Sequence, residues 1–490
     1  MGRRKNGHLV IGVLCIAAVI IASSVVYGGE PDGSQDNRTF EDESLYPPFV
    51  DVVGNDPPSD YDLREHGLVT SVKDQGNHGT CWAFAAASAI ETAMIKEGLA
   101  DASVDISEVQ LVYFNYNRTA DPLGGTEGDL ILNESGVNDL DHGSGTYLTV
   151  MELSTWSGPV YEDATGIPYD DFSEDTVLDD GLMYGSAAVY VTGSYLVNYN
   201  DFDSIKYNIM QGSSPMMGFS IPSMDQFRFI DDMNVGTNTT FYDPDTDDVP
   251  NHAVVIVGWD DEYPAENFVQ TPPGDGAWLV KNSWGTEWGG NDGYFWISYY
   301  NGSNDTGVVF LEVSPADEYD NNYQYDGGGS IRQDMRCGPV AYMSNVFTAV
   351  SNETLSAVSF YLTYNAEVDY SIQIYRGIAD VSDPDSGIPY LVSTETGTTT
   401  YAGYYTVDLS ETVALAEDEK FSVVIRLESG NGEDIYIPVD TDEIITDTYR
   451  FDVASKGGQS FVSSDGDVWV DVGADMNTNV RIKAFTTDDQ

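Results

Sequence analysis

The chain has 490 residues, 81 of them acidic and 20 basic, for a formal charge of −61 at pH 7. That balance excludes binding of a nucleic-acid backbone as a main role, because phosphates are held by clustered cations. Such a charge keeps a chain soluble through self-repulsion and suits a saline or acidic exterior, and the length calls for more than one domain.

The chain opens with Arg3-Arg4-Lys5 and an apolar run from Leu9 to about Val26. A basic start followed by an apolar stretch is an export signal. The run is longer than an ordinary cleaved signal core and stands at the lower limit of a membrane span. Residues 1–28 therefore read as a signal peptide or a signal anchor, and in either case the remainder lies outside the cytoplasm. Residues 29–58 are acidic and Pro-containing, which predicts a short extended pre-segment.

Next comes Asp74-Gln75-Gly76-Asn77-His78-Gly79-Thr80-Cys81-Trp82, followed by an Ala-rich run that predicts a helix from Trp82 to Glu97. A thiol at a helix N-terminus meets free backbone N–H groups and the positive end of the helix dipole. Both favour the reactive thiolate, so the sequence predicts a lowered pKa for Cys81. Gln75 precedes it on a loop that can fold back and offer its amide to an oxyanion. Ser107 to Gly145 and Tyr147 to Tyr161 extend the helical side. Within them Asp121 to Asp141, acidic and Gly-containing, reads as an inserted loop.

Downstream, His252 begins an apolar run with strand character, and Ala277 to Lys281 form a second strand that ends at Asn282. A thiol nucleophile needs an imidazole to take and return its proton. The imidazole needs a third group to fix its tautomer and orientation. Cys81, His252 and Asn282 supply these three types in chain order. Taken singly, each has a structural reading: a buried helix cysteine, a core histidine, a turn-capping amide. Asp260 to Asp275 reads as a loop between the two strands.

Asp62-Leu63-Arg64, Asp74-Gln75-Gly76, His78-Gly79-Thr80-Cys81-Trp82, Ser107-Glu108-Val109-Gln110-Leu111 and Asn282-Ser283-Trp284-Gly285-Thr286-Glu287-Trp288-Gly289 together resemble the papain family of cysteine peptidases. The resemblance runs from about Asp60 to Ser314. It implies a two-lobed α+β peptidase domain over residues 59–314, with no cofactor and no metal. It further implies Cys81 as nucleophile, His252 as general acid and base, Asn282 as orienter, and Gln75 with the Cys81 N–H as oxyanion hole. Trp284 would shield the His252–Asn282 bond. Gly143 and Gly145 would bind substrate backbone. Ala253 would line the pocket for the side chain two residues before the scissile bond, and Met216 reads as another apolar wall or as plain core. The chain departs from the family in two ways. His78 stands where relatives usually carry a disulfide cysteine, and only Cys15, Cys81 and Cys337 are present, so no disulfide is expected. The Cys81-to-His252 interval also exceeds the usual ~130–150 residues.

Residues 315–330, acidic and rich in Tyr and Gly, read as a linker. From 331 to 490 the pattern is strands: Leu355–Tyr364, Tyr370–Tyr375, Gly403–Leu409, Phe421–Leu427, Ile435–Val439 and Val480–Phe485. Turn-rich connections and short alternating runs predict an all-β antiparallel sandwich. Gly403-Tyr404-Tyr405-Thr406-Val407-Asp408-Leu409, Lys420-Phe421-Ser422-Val423-Val424-Ile425 and Gly458-Gln459-Ser460-Phe461 resemble the lectin-like domain that follows papain-type domains in some archaeal and bacterial exported proteins. The expected partners are peptide or protein substrates, a cell-surface glycan for the sandwich, and a membrane if the N-terminal segment is an anchor. The rival reading is an adhesin on a peptidase-like scaffold. Asp243–Asp248 and Asp380–Asp385 lack calcium-loop spacing and read as solvated loops.

Overall fold

The computed structural model describes residues 56–133, 140, 143–232, 236–245, 249–328, 334–364, 367–389, 395–446 and 449–489. The expected export segment, Cys15 and most of the pre-segment lie outside them. Among the described residues no helix is long and apolar enough to cross a membrane.

The N-terminal half has a helical side and a strand side. Its centre is the helix Cys81–Lys96, in which every side chain from Trp82 to Met94 is buried. A helix apolar on all faces belongs in a core, and Ala83, Ala85, Ala86, Ala87, Ala89 and Ala93 keep it slim enough to lie close against its neighbours. The helix Glu108–Tyr116 packs beside it and is capped by the Ser107 hydroxyl, which accepts from the Gln110 N–H. Against these lies an antiparallel array containing His252–Asp260, Ala277–Lys281 and Tyr294–Ser298. All of His252 to Trp259 and all of Ala277 to Lys281 are buried. The Asp260–Asp275 stretch is the hairpin loop between the first two of these strands, as the sequence predicts.

The second half is all β apart from a short helix, Val472–Met476. Its strands include Val340–Thr348, Glu353–Leu362, Val368–Arg376, Ala402–Leu415, Lys420–Ser429 and Ile482–Asp488, and those of them that pair do so antiparallel. In Val368–Arg376 the buried Ile372 and Ile374 alternate with half-buried Ser371, Gln373 and Tyr375, the period of a strand with one face in the core.

Two expectations are corrected where the halves meet. The linker is structured: Asn321–Tyr323 forms an edge strand on Ile482–Asp488, and Gln324 and Asp326 are buried. The Asp121–Asp141 region is not simply a loop, because Leu130–Asn133 pairs with Tyr449–Asp452 of the sandwich. The two halves also share a sheet. Ala402, Gly403 and Tyr404 pair with Leu196, Tyr195 and Ser194, so one sheet runs through both halves. Gly403 is required there: its φ is +151°, and a Cβ would stand 2.0 Å from the Ser194 carbonyl oxygen. Trp156 stacks on Tyr190 of the first half at 4.0 Å and on Phe485 of the second at 5.0 Å. These contacts join residues far apart in sequence, and local pattern carries no signal of them.

Candidate active site

Cys81 is the first residue of its helix, after Thr80. Backbone N–H groups of Ala253, Trp82 and Cys81 itself point at the thiol. The Ala253 bond brings the start of the His252–Asp260 strand onto the helix N-terminus, across the boundary between the two sides. His252 Nε2 stands 2.8 Å from Asn282 Oδ1. The same oxygen accepts the Ser283 N–H at 2.9 Å. An amide atom that takes a backbone N–H is the carbonyl oxygen, so His252 must donate from Nε2. That fixes the tautomer and leaves the Nδ1 lone pair as the base. The Trp284 ring lies 4.7 Å from the imidazole, and His252 and Asn282 are both buried.

The Gln75 loop is held by the segment that carries Asn282. The Gln75 N–H donates to the Ser283 carbonyl at 2.8 Å and the Gly285 N–H to the Lys73 carbonyl at 3.0 Å. Gly285 has φ +76°, and a Cβ there would lie 3.1 Å from Asp74 Oδ2. Ser283 Oγ donates to Gln75 Oε1 at 2.6 Å, and Gln75 Nε2 donates to the His78 carbonyl at 2.7 Å. The carboxamide is thereby oriented, with one of its two N–H groups used. Gly143 and Gly145 are exposed at the neighbouring rim. The Leu140 carbonyl accepts the Gly79 N–H at 2.7 Å, and the Tyr116 hydroxyl donates to the Gly143 carbonyl. Gly145 is also the N-cap of the helix Thr146–Leu153.

Two expectations fail here. The Cys81 thiol is not lowered: burial pushes it up and outweighs the three N–H bonds that favour the thiolate. The helix terminus is present, but the partial burial of the thiol outweighs it. Met216 is not a pocket wall. It pairs with Val255 and is 1% exposed, inside the main core, because its strand is covered on both faces.

The structure also adds Tyr169, which has no motif in the sequence. Its hydroxyl lies 2.5 Å from Thr80 Oγ1 and 3.1 Å from the Gln75 carbonyl oxygen. Its ring packs edge-on against Phe84 at 4.8 Å and against His78 at 6.5 Å. Burial lifts the phenol to about 12, so it stays a donor. Tyr169 thus bridges both ends of the loop that precedes Cys81. Tyr169→Phe removes the bridge and keeps the ring. It is expected to lower kcat about three- to tenfold, the worth of about one hydrogen bond, with KM nearly unchanged. Steady-state kinetics with a thermal melt checks this.

The papain family cysteine protease model matches residues 57–310, just over half the chain, and the chain belongs to that family. A lectin like domain matches residues 322–486. Curated relatives include a cysteine protease of Blomia tropicalis, 27% identical over 267 residues, covering 54% of this chain and 68% of the relative. Pro-cathepsin H of Medicago truncatula is 30% identical over 261 residues, covering 53% of this chain and 61% of the relative. The chain thus spans roughly two thirds of the length of these relatives. Among solved structures, the cysteine protease and lectin-like domains of Cwp84, a surface layer associated protein of Clostridium difficile, match with a TM-score of 0.73 and 23% identity. That match covers 92% of this chain and 94% of the solved two-domain chain, and the likeness is one of fold.

Proposed function

We propose that the chain is an exported cysteine endopeptidase that hydrolyses peptide bonds through a thioester on Cys81. His252 Nδ1 takes the thiol proton as sulfur attacks the scissile carbonyl. It then returns that proton to the leaving amine, and in the second half it activates the water that releases the acid. Asn282 holds the imidazole in the tautomer this requires. The Cys81 N–H and the second N–H of Gln75 receive the oxyanion. Trp284, Gly143, Gly145 and Ala253 border the substrate. The observation that carries this reading is the series of contacts Ala253 N–H to Cys81 and His252 Nε2 to Asn282 Oδ1 at 2.8 Å.

The sandwich is proposed to hold the enzyme at a glycan-bearing cell surface. This rests on the lectin like domain match, on the export signal read from Arg3 to Val26, and on the surface-layer association of Cwp84.

The test is hydrolysis of a mixed fluorogenic peptide library by the full-length chain under reducing conditions, before and after one-equivalent alkylation. Burial lifts the Cys337 thiol to about 12, which makes it a poor competitor for the reagent. Cleavage is expected, together with its loss in proportion to label found on Cys81 by peptide mapping. Undiminished cleavage by chain fully labelled at Cys81 defeats the proposal.

A further inference from the structure

Buried charge is out of balance where the two halves meet beside Leu130–Asn133. That strand of the first half pairs with Tyr449–Asp452 of the sandwich. Asp129, just before it, reaches across, and its Oδ1 accepts the Ala454 N–H at 2.7 Å. Gly327 of the connecting segment lies against the same carboxyl: a Cβ there would stand 2.2 Å from Asp129 Oδ2. The Gly327 N–H donates to Asp440 Oδ2 at 3.0 Å, and the Gly327 carbonyl accepts from Arg118. One residue thus brings a carboxyl of each half to the same place.

Every element packed here carries charge. The first half supplies Asp129, Arg118 and Glu152, with Arg118 Nη2 3.9 Å from Glu152 Oε2. The connecting segment supplies Asp326. The sandwich supplies Asp440, Arg481 and Lys483. Arg481 lies 3.4 Å from Asp440 and 3.6 Å from Asp326, and Lys483 lies 2.9 Å from Asp326. Four carboxyls therefore face three cations. Asp129 alone of the four has no ion pair among the described residues. Its Oδ2 is buried and finds no hydrogen-bond partner among them, so no donor supports a charge on that oxygen. A carboxylate so placed is costly, and it neutralises by taking a proton. Burial, then the Asp440 charge, holds the Asp129 carboxyl well above the ordinary carboxylate range, with Asp326 adding to the rise and the Ala454 N–H and Arg118 opposing it.

We propose that Asp129 and Asp440 form a pH-sensitive clasp between the peptidase half and the sandwich: the contact closes with a proton on Asp129 and loosens when that proton leaves and the two carboxylates repel. Once opened to water, Asp129 gives up its proton near the ordinary value of ~3.9. In the closed contact it does so only at higher pH. The stabilisation is therefore complete on the acid side and is lost as pH rises through the raised value.

Hydrogen exchange of the Leu130–Asn133 amides in the full-length chain, expressed as protection factors, tests this at about pH 5.5 and about pH 8.5. Protection in the wild type is expected to fall about tenfold or more across that interval, the worth of one pKa unit. The amides of the Cys81–Lys96 helix should change less. Asp129→Asn keeps the shape and cannot ionise, so it should abolish the difference. A carbon-13 titration of the Asp129 carboxyl reads the same group in the wild type, and its midpoint is expected well above ~3.9. A midpoint at the ordinary value, protection independent of pH in the wild type, or a fall that survives in Asp129→Asn overturns the inference. An equal fall in the Cys81–Lys96 helix marks global opening and overturns it as well.

Discussion

His252→Ala is expected to lower kcat/KM by roughly 10⁴-fold or more, with far-ultraviolet circular dichroism unchanged. The loss should be large because the thiol cannot ionise without help. Burial raises Cys81, so the proton must pass to a neighbour during attack. Adding Cys81→Ala to His252→Ala should cost little more, since the two residues act as one unit. The pH dependence follows from the same burial. Burial pulls His252 down to about 4, against the opposing effect of its bond to Asn282. The imidazole is then neutral, and competent as a base, at every pH above about 4. The acid limb of kcat/KM is expected well below the ordinary histidine range near 6.5. Stability moves in the same sense. The unfolded chain binds this proton below about pH 6.5 and the folded chain only below about 4, so the contribution is complete above 6.5 and is lost as pH falls toward 4. Urea unfolding of the wild type and of His252→Ala at pH 7 and pH 5 should show a smaller drop in the variant. An acid limb at pH 6.5 argues against this account.

Glu91→Ala is the second large effect, on stability, at about 3–5 kcal/mol. Glu91 is fully buried on the Cys81 helix. One of its oxygens accepts the Ile106 N–H at 3.0 Å and faces Lys73 Nζ at 3.0 Å. The other accepts the Thr70 hydroxyl. Lys281, the residue before Asn282, donates to Thr70 Oγ1 at 2.8 Å and to Ser88 Oγ at 2.9 Å. The network ties the helix that carries the thiol to the strand that carries the orienter. Burial lowers Lys281 to about 8, with Glu91 acting to restrain the fall. Removing Glu91 deprives the buried Lys281 ammonium of the carboxylate that acts most on it, while Lys73 keeps Glu108 at 2.9 Å and Asp105 at 2.5 Å; an under-compensated buried charge costs more than the pair contributes. Glu91→Gln keeps the hydrogen bonds and should cost less. Denaturant unfolding at pH 7 compares the two. Equal stability of Glu91→Ala and wild type would show that water reaches the network.

Cys81, His252, Asn282, Gln75 and Trp284 were legible in the sequence because the chemistry restricts both residue type and local setting. The thiol must start a helix, and the orienter must end a strand in a turn. The Ile372 and Ile374 alternation was legible for the same kind of reason, since a half-buried strand repeats every two residues. Tyr169 and Glu91 left no such mark. Their roles come from partners far along the chain: Thr80 for Tyr169, and Lys281, through Thr70, for Glu91.

By itself, the sequence determined the family, the order of the two domains and the local settings of Cys81, His252 and Asn282, because helix starts, strand periods and turn residues are local. The tertiary structure decided the rest. It made one sheet of both domains, turned an apparent linker into an edge strand, put Met216 in the core, and raised the thiol that a helix N-terminus alone would lower. Burial is the reason in each case. It is a property of what packs around a residue, and distant segments supply that packing.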